Sequence, residues 1–157
     1  MGRMARNGLA GLALAVMLAV GAPSLAASAA PKAPARAELL RRAQAGDVGA
    51  YDLLADSYLN AKGDQRDVEA AVRWLNVGVK AGDTGCMIAL GNLYFVGEDL
   101  DQDEAKALSL YKAAAAKGDA LGAYNAGLVY ETSAEDLTQA LGWYWRAAAG
   151  GDEGGMY

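Results

Sequence analysis

The chain has no histidine, one cysteine and one phenylalanine in 157 residues, and its three prolines all fall before residue 35. Without histidine there is no serine or cysteine triad of the usual kind, no histidine metal site and no default near-neutral proton shuttle. With Cys86 alone no intramolecular disulfide can form, and a disulfide-stapled or zinc-built fold is excluded. No proline interrupts residues 35–157, and no strand-like alternation of apolar and polar residues occurs there. Stability therefore has to come from apolar packing of helices.

What is present begins with a leader. Arg3 and Arg6 precede an apolar run over 8–20, Pro23 breaks it, and Ser24-Leu25-Ala26 puts small residues where a signal peptidase reads them. The thirteen-residue run is short against the ~20 residues that cross a bilayer, so the reading is a cleaved secretory signal over 1–26. Cleavage after Ala29 is a close second. A short linker over 27–36 follows, then one domain over 37–157, and the expected location is periplasmic or secreted. Losing the two leader arginines takes the net charge from −5 to −7. Such a surface favours solubility and a basic protein patch over nucleic acid or anionic lipid.

The chain repeats itself. Gly46-Asp47, Gly82-Asp83 and Gly118-Asp119 are thirty-six residues apart, and Gly151-Asp152 follows after thirty-three. Tyr58, Tyr94 and Tyr130 keep the same step, as do Asp67 and Asp103, with Asp136 after a connection three residues shorter. A period of this size means stacked supersecondary units, each unable to bury its apolar face alone. Each unit reads as two helices, the first over 48–60, 84–96 and 120–131, the second over 67–81, 103–117 and 136–149. Asp67, Asp103 and Asp136 are expected N-caps, and each Gly-Asp pair is expected to end one helix and cap the next. Ala50, Cys86 and Gly122 are equivalent small residues, as are Ala55, Gly91 and Gly127, and they let helix axes approach. Trp74 and Trp143 are expected to fill the space between layers, where truncation to alanine would cost about 3–5 kcal/mol. Residues 151–157 open a fourth unit, which reads as a chain that continues rather than one closed by a polar cap.

Leu90-Gly91-Asn92-Leu93-Tyr94, Lys106-Ala107 and Tyr111-Lys112-Ala113-Ala114 resemble the Sel-one-like repeat family, a relative of the tetratricopeptide repeats. The third unit carries the same pattern in Gly127-Leu128-Val129-Tyr130 and Trp143-Tyr144-Trp145-Arg146-Ala147-Ala148-Ala149-Gly150, whereas the first has Ala55 in place of the usual glycine. The resemblance covers about 37–157. It implies an all-α fold, a right-handed α-solenoid of helix-turn-helix repeats of about thirty-six residues, working as an adaptor without catalysis or cofactor. The disulfide-rich branch of the family is excluded by the single cysteine.

Three features of the sequence are candidate sites. Tetratricopeptide relatives line their concave surface with the first helix of each unit. There, i, i+4, i+7 spacing groups Asp52, Asp56 and Leu59, then Ile88, Asn92 and Phe95, then Tyr124, Leu128 and Glu131, as a partner-binding groove. The opposing reading packs Ile88, Phe95, Tyr124 and Leu128 between layers. The acidic run 98–104 spaces Asp99, Asp101 and Asp103 like calcium ligands, but lacks the glycine and the final glutamate an EF-hand loop needs, and reads as a solvated loop ending in a cap. Cys86 reads as a small packing residue rather than a reactive thiol. The expected function is an exported scaffold that binds a protein or peptide. The rival readings are a cell-wall or β-lactam hydrolase, for which no nucleophile–base pair is present, and a polysaccharide-assembly scaffold using exposed aromatics.

Overall fold

The computed structural model describes residues 35–150. The leader expected over 1–26, most of the linker and the half-unit 151–157 lie outside the described residues. Within them the chain is all helix: α1 (Arg36–Gln44), α2 (Tyr51–Leu59), α3 (Val68–Ala81), α4 (Thr84–Val96), α5 (Glu104–Ala115), α6 (Ala120–Thr132) and α7 (Leu137–Ala148). Short 3₁₀ turns at Val48–Ala50 and Gly63–Gln65 complete it. Each helix packs on its neighbours in sequence, and α2 also touches α4 while α4 touches α6. The result is an α-solenoid in which α2, α4 and α6 form one row and α3, α5 and α7 the other.

The helix boundaries follow the repeated polar residues. Asp67, Asp103 and Asp136 accept from the backbone N–H groups of Ala70, Lys106 and Gln139 at 2.8, 2.9 and 3.0 Å. Asp47, Asp83 and Asp119 do the same for Gly49, Cys86 and Leu121. Each such cap satisfies a backbone donor that the first helical turn leaves unpaired. Gly46, Gly82 and Gly118 take φ of +83°, +84° and +87°, the left-handed turn expected of them. One further bond recurs in every unit: the carbonyls of Tyr58, Tyr94 and Tyr130 accept from the N–H groups of Asp67, Asp103 and Asp136 at 3.2, 2.9 and 2.9 Å. It closes the long connections and the short one alike.

The core is built from small residues against large ones. Ala50, Ala71, Cys86, Ala107, Ala114, Ala115, Ala123 and Ala126 are fully buried, and the large buried side chains Leu54, Leu75 and Tyr111 lie between them. A Cβ at Gly91 would stand 2.6 Å from the Tyr111 ring, and one at Gly127 2.7 Å from the Tyr144 ring. In the first unit the facing residue is Leu75, smaller than tyrosine, and there Ala55 is accommodated. This explains the departure at Ala55: the pair keeps its volume. The same exchange links α3 to α4 and α5 to α6, where Gly78 meets Cys86 and Ala114 meets Gly122.

Two expectations change. Trp74 and Trp143 are half-buried rather than enclosed. Trp74 stacks on Tyr51 with centroids 6.0 Å apart, and Trp143 lies under the Lys112 ammonium and the Arg146 guanidinium at 5.6 and 5.1 Å. Truncating either loses less apolar burial than a fully enclosed ring. No helix among the described residues is long and apolar enough to cross a membrane.

Candidate functional site

The row α2, α4, α6 carries all nine residues of the expected groove, but rotated from the expected phase. Ile88 is 7% exposed and packs with Met87 and Ala114, so it faces α5 rather than solvent. Leu59 packs on the first core cluster and Phe95 on the second, both half-buried, and Leu128 is half-buried as well. Asp56, Asn92, Tyr124 and Glu131 are open. The open stripe runs through Leu53, Asp56 and Asn60 on α2, through Asn92 and Val96 on α4, and through Leu121 and Tyr124 on α6. Sequence periodicity missed Leu53, Val96 and Leu121 because α4 is walled by neighbours on most sides. Cys86, Met87, Ile88, Leu90 and Gly91 are all buried, which leaves no polar face to set the phase.

Polar chemistry reaches this face from the other row. Because Gly91 has no side chain, the Tyr111 ring lies against α4, and its hydroxyl donates to Asn92 Oδ1 at 2.7 Å. Asn125 Nδ2 donates to the same oxygen at 3.4 Å, joining α4, α5 and α6 at one point. One unit later the Tyr144 hydroxyl passes Gly127 and donates to Glu131. Burial pushes the Tyr111 hydroxyl up to about 12, and the Glu131 bond does the same for Tyr144, so both are donors throughout the physiological range. The small residues at Gly91 and Gly127 were legible in the sequence, but their pairing with Tyr111 and Tyr144, and the hydroxyl it delivers across the layer, were not.

The N-terminal part of the face is acidic. Asp52 is half-buried beside Asp83, and burial, together with the charges of Asp83 and Asp56, holds its carboxyl above the usual range. At the seam between the first and second units Arg66 bonds both oxygens of Asp99 at 2.6 Å. A hollow of 210 Å³ lined by Asn92, Leu93, Val96, Glu98 and Asp99 opens beside that pair. The acidic run 98–104 is thus used for packing: Asp99 ties the two units, Gln102 bonds the Phe95 carbonyl and Asp103 caps α5. Among the described residues no group of three or more acidic or cysteine side chains is placed to hold a metal ion. The Cys86 thiol is fully enclosed, and burial raises it far above its ordinary value. A face of hydroxyl, amide and carboxylate groups set among exposed leucine, valine and tyrosine can hydrogen-bond and cover a peptide surface.

Known proteins share this repeat. Sel1 repeats match at residues 49–83, 85–119 and 120–152, most of the chain and in register with the helix pairs. The crystal structure of a Sel1 repeat protein from Oxalobacter formigenes is 34% identical with a TM-score of 0.62, over 75% of this chain and 91% of that one. A protective antigen present in uropathogenic Escherichia coli strains, displaying an SLR fold, is 26% identical with a TM-score of 0.67 over 75% of this chain. This chain spans only 27% of that antigen. No curated protein matches the sequence. Sel1 repeats generally mediate protein–protein interaction, and their scaffold is typically non-catalytic. The small-residue register, the repeated caps and three matched units together place the chain in the Sel1 repeat family.

Proposed function

We propose that this chain is an exported adaptor that holds a protein segment along the α2–α4–α6 row, in the periplasm or outside the cell. The observation that carries the reading is the composition of that open face. Leu53, Val96, Leu121 and Tyr124 are each about half exposed, alternating with Asp56, Asn92 and Glu131. Exposed apolar groups rimmed by polar ones mark binding surfaces rather than bare solvent faces. The direct contacts of α2 with α4 and α4 with α6 make this the tighter of the two rows, which supports its being the inner one. The leader pattern of residues 1–26 supports export. The acidic start of the face, around Asp52, Asp56 and Asp83, favours a partner with a basic segment at that end.

The test is crosslinking and recovery from the native envelope, comparing the wild type with an Asp56→Lys, Tyr124→Ala variant whose circular dichroism is unchanged. The expected outcome is one protein recovered with the wild type and lost with the variant. Equal recovery by both would move the binding surface off this row, and failure to recover any protein in several salt conditions would sink the adaptor reading.

A further inference from the structure

The hollow of 210 Å³ at the C-terminal end of α4 has walls of three kinds. Leu93 and Val96 are apolar, and Val96 stands 57% exposed. Glu98 and Asp99 form an acidic rim. Arg66, the nearby cation, donates to both oxygens of Asp99 and to the Leu59 carbonyl. Its charge is therefore matched by Asp99, and that of Glu98 is left over. The closing turn of α4 adds to it, because the last carbonyls of a helix carry partial negative charge. The third wall is the Asn92 amide, whose orientation is fixed from beneath. The buried Tyr111 hydroxyl has one hydrogen-bond partner among the described residues, so it donates to Asn92 and the Asn92 oxygen faces it. Asn125 Nδ2 donates to the same oxygen, so both its lone pairs are used. The Nδ2 group on the other side of the amide is thereby presented to the open face.

We propose that this hollow seats one lysine or arginine side chain of an extended partner segment, with a main-chain carbonyl of that segment held by Asn92 Nδ2. This rests on the reading of the α2–α4–α6 row as the binding surface and adds what that surface selects. A basic side chain lays its methylene stem along apolar surface and keeps its charged head at a polar edge, which matches Leu93 and Val96 leading to Glu98. An apolar occupant would cover Glu98 without pairing it, and an acidic one would meet like charge. The size agrees, since a cavity of about 150 Å³ already takes a benzene ring. The net charge of −5 draws a basic segment toward the chain as a whole. The seat occurs in one unit only. In the first unit Asp56 and Lys62 stand at the places of Asn92 and Glu98, and in the third Leu128 replaces the amide. A single seat fixes where along the row the segment lies.

The test selects short random peptides displayed on phage against the purified protein. The selected sequences should share one lysine or arginine at a fixed place. In a synthetic peptide carrying that lysine, norleucine keeps most of the stem and removes the charge, and it should raise the dissociation constant at least ~10-fold. Glu98→Gln keeps the shape of the hollow, and against it the same replacement should cost less than about 3-fold. Asn92→Asp keeps an acceptor for Tyr111 and removes the Nδ2 donor, so it should weaken even the norleucine peptide roughly 5-fold. Both positions are exposed, and circular dichroism of both variants should match the wild type. Peptides with no recurring basic residue, or with an apolar one in its place, overturn the proposal. A norleucine penalty unchanged by Glu98→Gln overturns it too, and a norleucine peptide indifferent to Asn92→Asp overturns the main-chain contact. If such peptides still lose binding to Tyr124→Ala, the row keeps its adaptor role and only the occupant of the hollow is wrong. A library that yields no binder also overturns the proposal, while crosslinking in the envelope decides the adaptor reading on its own.

Discussion

At Gly91 a hydrogen stands where any other residue would put a carbon 2.6 Å from the Tyr111 ring. Gly91→Ala should cost about 1–3 kcal/mol, as overpacking does, and urea melts will show it. Tyr111→Leu in the same chain should recover part of that loss, because it recreates the Ala55–Leu75 pair of the first unit. A double-mutant cycle with no coupling would break the size-complementarity argument. Asp52 supplies a second residue-scale test. Its folded-state carboxyl lies above its ordinary value, so folding disfavours its charge. That penalty is complete above the folded pKa and disappears as pH falls below the unfolded one. Asp52→Asn should therefore raise the melting temperature at pH 7, with an advantage that shrinks as pH drops through the carboxylate range. An advantage constant with pH would assign the effect to something other than charge.

At the scale of the element, five aspartates start α3 to α7 and Asp47 starts the 3₁₀ turn that leads into α2, and replacing one isolates what a cap contributes. Asp103→Ala should lower stability by about 1 kcal/mol in denaturant titration, most of it from the lost bond to the Lys106 N–H. The turn between α6 and α7 is three residues shorter than its counterparts, and Glu135 takes φ of +50° to close it. A left-handed conformation strains a side-chain-bearing residue by roughly 1–2 kcal/mol, part of which glycine's larger unfolded-state entropy offsets. Glu135→Gly should stabilise by about 0.5 kcal/mol in the same titration. Gly97→Ala should do the reverse, since Gly97 is left-handed at φ +73° and a Cβ there would meet Gln102 at 2.7 Å.

Across the whole molecule, stability is a chain of neighbour contacts rather than one central core, so it need not be uniform. α7 buries only Ala140, whereas α4, with helices on several sides, buries five residues. Hydrogen exchange should show α7 exchanging first and α4 last. Uniform protection would mean that the units open together.

The period of thirty-six residues, the Gly-Asp pairs and the aspartates before each second helix determined the six helices of the three units, the caps and the solenoid, because each is a local demand of the backbone; α1, which precedes the first unit, was not among them. That the α2–α4–α6 row leaves Asp56, Asn92, Tyr124 and Glu131 open was legible for the same reason. Its exact phase was not. Ile88 is buried and Val96 is exposed because α5 crosses one side of α4 and not the other, a choice made between helices rather than within one. The Tyr111 and Tyr144 hydroxyls were likewise placed by packing: the glycines are in the sequence, but only the approach of one row to the other carries those hydroxyls to Asn92 and Glu131.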